Sequence, residues 1–91
     1  MNMEEKIKIA LESEINAHHI EIINESNLHA GHSGDDGSGQ THFKLMIVSD
    51  DFKGYSRIQR QRTVNESIKH LFQQGLHALS MELLTLEEFN I

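Results

Sequence analysis

The stretch Thr41-His42-Phe43-Lys44-Leu45-Met46-Ile47-Val48 constrains the fold of this chain more than any other. Phe43, Leu45 and Ile47 alternate with His42, Lys44 and Met46, and an extended backbone sends successive side chains to opposite faces. The run is a strand with one covered face, and something apolar must cover it. Two amphipathic stripes can do so. Met3, Ile7, Ala10 and Leu11 recur at i, i+4, i+7 and i+8, and Val64, Ile68, Leu71 and Phe72 repeat that spacing. A chain of 91 residues has room for one modest core, so strand and stripes belong to a single domain over residues 1–91.

Local signals place the boundaries. Asn2 with Glu5, Ser56 with Gln59, Thr63 with Glu66, and Thr85 with Glu88 each pair a polar cap with Glu or Gln three residues on. Gly75 follows the second stripe as a helix C-cap. Between Ser56 and Thr63 the pattern predicts a helical turn or two, then a break into the longer helix. Thr85 starts a short terminal helix. Ile20 and Ile22 flank Glu21 in a second strand, and Leu79, Met81 and Leu83 alternate with Ser80 and Glu82 in a third. The expected fold is α+β in the order α-β-β-α-α-β-α, a three-stranded sheet covered on one face by helices. Residues 26–40 form the long connection between the first two strands. Four of the six glycines crowd into nine of its residues, which predicts a flexible loop.

Composition narrows the function. The chain has no cysteine, so it holds no disulfide and could fold in a reducing compartment. No apolar run approaches the roughly 18 residues that would span a bilayer. The acidic start Met1-Asn2-Met3-Glu4-Glu5 has no signal-peptide core, which sets the expectation of a cytoplasmic protein without membrane partners. The net charge of −6 argues against a surface coated by nucleic acid. Yet Lys53, Arg57, Arg60, Arg62 and Lys69 fall in residues 52–70 with Glu66 as the one acid. Such a local basic face suits nucleic acid, an acidic partner or plain solvent.

The other chemistry-bearing set is histidine. His29, His32 and His42 lie within fourteen residues, and His77 stands apart in Leu76-His77-Ala78-Leu79. Imidazole ligates zinc, copper and iron. Iron–sulfur clusters are held chiefly by thiolates, with histidine replacing some of them in certain centres. A chain without cysteine would have to borrow that sulfur, which points to a site shared at an interface. From the residues alone, His77 reads first as an inert histidine at the edge of the core. Its parity puts it beside Leu79, Met81 and Leu83. His29 and His32 read first as solvated loop residues. His42 packs or caps on the sheet surface, and His18, His19 and His70 are surface residues.

Several separated motifs then agree at once. Asn24-Glu25-Ser26, His29-Ala30-Gly31-His32, Gly37, Thr41-His42-Phe43, Val48-Ser49, Phe52-Lys53-Gly54-Tyr55-Ser56, Arg60-Gln61-Arg62, His77-Ala78-Leu79 and Thr85-Leu86-Glu87-Glu88-Phe89 resemble the BolA family in order and spacing. The resemblance runs from about residue 5 to residue 89. Gln61 stands where the family often has histidine, and Leu86 and Phe89 where it often has proline and tryptophan. The resemblance implies a class II KH-like fold and partnership with a monothiol glutaredoxin, sharing a [2Fe–2S] cluster for iron–sulfur trafficking or iron regulation. In that picture the glutaredoxin cysteine and glutathione supply sulfur, and this chain supplies His77 and a loop histidine. His29 is at the matching loop position, with His32 as the alternate.

The resemblance also carries a second expectation, a DNA-binding transcriptional regulator. Gly54, Tyr55, Arg57, Arg60 and Arg62 would then meet nucleic acid, or alternatively the protein partner, at a strand-to-helix turn. The paired-glycine GxxG signature of KH domains is absent; only Gly54 is present. Catalysis is not expected. There is no HExxH motif for a hydrolytic zinc centre, no cysteine nucleophile and no nucleophile elbow. Alone, the protein is expected to be a monomer or a weak homodimer without a cofactor of its own.

Overall fold

A computed structural model describes residues 2–26 and 39–90. Helix α1 (Met3–Glu14) begins where Asn2 Oδ1 accepts the Glu5 N–H at 2.9 Å, and it buries Met3, Ile7 and Leu11. Strand β1 (His19–Asn24) runs antiparallel to β2 (His42–Val48), and β3 (Ala78–Leu84) lies parallel to β2 on its other side. Between β2 and β3 come a 3-10 turn (Asp50–Phe52), α2 (Arg57–Ile68) and a 3-10 stretch (Lys69–Gln74). The short α3 (Leu86–Phe89) follows β3. The parallel pairing of β2 and β3 requires such a crossover. Among the described residues no helix is long and apolar enough to cross a membrane.

The alternation in β2 does what its period demands. Phe43, Leu45 and Ile47 are buried in one cluster with Met3, Ile7 and Leu11 of α1 and Val64 and Ile68 of α2. Ile20, Ile22, Leu79, Met81 and Leu83 pack against it from the flanking strands. Leu45 sits at the centre, in register with Ile22 on one side and Met81 on the other. Both long helices thus cover the same face, and the three-stranded architecture is the one expected from the sequence.

One boundary falls elsewhere than expected. Thr63 does not cap a new helix. Its Oγ1 donates to the Gln59 carbonyl at 3.0 Å, one turn back, and α2 runs through without a break. The change of helix type comes at Lys69, where the chain tightens into the 3-10 stretch. Gly75 then ends it at φ +115, its N–H donating to the Leu71 carbonyl. The predicted capping boxes at Ser56–Gln59 and Thr85–Glu88 are both complete, with side chain and backbone bonded in each direction.

Candidate functional site

The N-terminal ends of β2 and β3 lie side by side, with His42 in register with Ala78. Just before β3, the His77 and Ala78 N–H groups both donate to the Thr41 carbonyl, at 2.9 and 3.1 Å. His77 is therefore fixed by its backbone while its side chain is exposed. The parity expectation for His77 fails here. β3 starts at Ala78, so the alternation that sends Leu79 into the core does not extend back to residue 77. The imidazole instead lies against the ring of His42, with centroids 5.4 Å apart and planes inclined by 50°.

His42 itself is 6% exposed, where the sequence suggested a surface position. Its Nδ1 is 2.7 Å from Thr41 Oγ1. Behind it, Ser26 Oγ accepts the Thr41 and His42 N–H groups at 3.0 and 3.1 Å. Ser26 and Thr41 are as buried as His42. Asn24 adds a tie across the base of the long connection: its Nδ2 donates to the Gly39 carbonyl at 2.7 Å. The expected ligand His29 and its alternate His32 lie outside the described residues, as do most of the loop glycines. Among the described residues no three His, Asp or Glu side chains cluster closely enough to hold a metal ion. What the described residues offer is one accessible imidazole, His77, on an anchored backbone.

The opposite end of the sheet is built from charge. Arg60 projects from α2 with four of its five guanidinium donors engaged. Nε reaches the Tyr55 carbonyl (3.2 Å), Nη1 the Leu83 carbonyl (3.0 Å) and Glu88 Oε1 (2.7 Å), and Nη2 Glu88 Oε2 (3.3 Å). The guanidinium carbon also lies 5.9 Å from the centre of the buried Phe52 ring. Its hydrogen bond to Glu88, with the Thr85 N–H, holds that carboxyl down at about 2. Asp50 accepts the Leu86 N–H at 3.2 Å, which lowers its carboxyl below the usual range, and Lys53 and His18 add to the effect. Phe89 stacks against His19 at 6.0 Å. Arg60 therefore differs from the role its neighbours in sequence suggested: its donors fasten α3 and β3 and are not presented outward.

The remaining basic-face candidates stay on the surface. Gly54 takes φ +77, a left-handed turn that favours glycine, and delivers the chain to Ser56, the α2 cap. Tyr55, Arg57 and Arg62 are exposed. A groove of about 420 Å³ follows between α2 and β3, lined by Tyr55, Arg57, Gln61 and Met81 among others. Arg62 is not one of its lining residues. Besides the outward placement of His77, sequence reasoning missed the burial of His42 beside it and the inward turn of Arg60. The alternation of β2 carried half of the first signal, since it put His42 on the face opposite Phe43.

Comparison with known proteins places this geometry. The family model for BolA-like proteins matches residues 11–88. The DNA-binding transcriptional regulator BolA of Haemophilus influenzae is 33% identical over 89 residues, covering 98% of this chain and 82% of that protein. Among solved structures, BolA1 from Arabidopsis thaliana superposes with a TM-score of 0.85 at 33% identity, over 97% of this chain and 96% of that one. The BolA domain of SufE1 from Arabidopsis thaliana gives 0.83 at 38% identity, over 93% of each chain. This chain spans 22% of the whole Arabidopsis thaliana SufE-like protein 1. The matched segment takes in α2, both histidines at the sheet end and the Arg60–Glu88 clamp, and the chain belongs to the BolA-like family.

Proposed function

We propose that this protein is a non-enzymatic partner of a monothiol glutaredoxin, with which it shares a [2Fe–2S] cluster for iron–sulfur trafficking or iron regulation. One observation carries the reading: His77 offers an exposed imidazole on a backbone held by Thr41, in a chain that has no thiol. Histidine ligation of one iron of a [2Fe–2S] centre is known chemistry, and it raises the reduction potential above that of all-thiolate centres. The glutaredoxin cysteine and glutathione would supply the sulfur. The second imidazole is assigned to His29, with His32 as the alternate. The role of the chain is to aim its donors and to meet the partner's surface. Mixing the protein with a cluster-loaded monothiol glutaredoxin should change the visible absorption and circular dichroism of the cluster. His77→Ala should remove that change; an unaltered difference spectrum would sink the assignment.

A second reading, a DNA-binding regulator, is favoured by the exposed Arg57 at the head of the α2–β3 groove, just beyond the Gly54 turn. The relative from Haemophilus influenzae carries that description. Arg57→Ala/Arg62→Ala should then weaken duplex DNA binding in anisotropy titrations, more at low salt than at high. An absence of binding by the unaltered protein at low salt removes this reading.

A further inference from the structure

We propose that His42 is a positioning residue for His77, a buried imidazole that sets the rotamer of the exposed one. The purpose rests on His77 being a cluster ligand. An exposed side chain ordinarily samples several staggered rotamers. Ligand geometry tolerates little of that, since a productive site is held to about half an ångström by the residues behind it. His42 supplies such a backing. Its ring is 5.4 Å from that of His77 at a 50° tilt, inside the span of favourable aromatic contacts. It is itself immobilised, 6% exposed, with Nδ1 at 2.7 Å from Thr41 Oγ1 and its backbone N–H on Ser26 Oγ. Thr41 also receives the His77 and Ala78 N–H groups on its carbonyl, so one residue anchors both imidazoles. Backbone and side chain of His77 are thus referred to a single buried unit, Ser26–Thr41–His42.

The test reads the rotamer without the cluster. Three-bond couplings to the His77 ring carbon, measured by NMR on the full chain alone, should report one χ1 state. His42→Ala should average them, and His42→Phe, which keeps a ring against His77, should leave them near the starting values. Should the alanine variant not fold, Thr41→Val removes the hydroxyl beside His42 Nδ1 at nearly constant shape and should average the couplings in part. Unchanged couplings in the folded variants overturn the proposal. Pulsed EPR of the reduced complex with [2Fe–2S]-loaded monothiol glutaredoxin then separates the two ideas. Loss of one of the two imidazole nitrogen couplings in His77→Ala and in His42→Ala, with both kept in His42→Phe, supports positioning at iron. Loss of one coupling in His42→Phe with both kept in His77→Ala makes His42 the ligand and overturns it. No nitrogen coupling in the unaltered protein defeats the ligand reading of His77, and with it the purpose assigned to His42, whatever the χ1 data show.

Discussion

The two ends of the sheet solve the same problem with opposite chemistry. At the start of β2 and β3, neutral hydroxyls and an imidazole are buried together, and one imidazole is left facing outward. At their far end, an arginine, two carboxylates and a capping threonine close on one another and fasten α3. A carboxylate with a guanidinium on it has little left to offer a ligand. An imidazole with its backbone fixed and its ring accessible keeps its donor atom. The lesson is that the charged end consumes its polar groups in holding the fold, while the histidine end is held by Ser26, Thr41 and His42 and keeps the His77 side chain in reserve.

The largest effect should come from the residue that both ends share. Leu45 is fully buried at the centre of the sheet, and Leu45→Ala should cost about 2–5 kcal/mol in denaturant unfolding. If both ends belong to one cooperative unit, near-ultraviolet and far-ultraviolet signals should lose stability together. Next comes Arg60→Ala, which removes four hydrogen bonds at one end and should lower the melting temperature by about 5 °C or more. The same contacts predict a pH effect. Glu88 titrates at about 2 when folded against an ordinary 4.5, so its contribution is complete above pH 4.5 and fades as the pH falls towards 2. Glu88→Gln should flatten the stability profile in that window, whereas His77→Ala should leave its slope intact. The smallest change should be His77→Ala itself: an exposed residue whose removal shifts the melting temperature by no more than about 3 °C. A large loss there would mean that the histidine end is structural after all.

Much of the fold was legible because period and capping are local. The alternation through Phe43, Leu45 and Ile47 named the covered face, and Gly75 and Ser56 named two helix ends. Thr63 misled because its hydroxyl had a second option, the carbonyl of the preceding turn, and the Val64–Ile68 spacing continues equally well in either case. His77 misled because parity can be counted backwards past the point where a strand actually begins. Arg57, Arg60 and Arg62 could not be told apart by composition. What separates them is the return of α3 after β3, which places Glu88 and the Leu83 carbonyl within reach of Arg60 alone. The pairing of His42 with His77 likewise depends on β3 lying beside β2, a fact of topology that neither residue's neighbours encode.

The hydrogen bond from Arg60 to the Leu83 carbonyl has a further meaning for the outer rim of the sheet. β3 is an edge strand, and the Leu84 carbonyl turns inward to the Ser49 N–H, so that of Leu83 turns outward. Outward carbonyls on an edge are templates on which another chain can add a strand and begin to aggregate. A guanidinium already seated on that carbonyl denies the incoming strand one of its acceptors and puts a cation in its path. The residue that fastens α3 thus also guards the rim of the sheet.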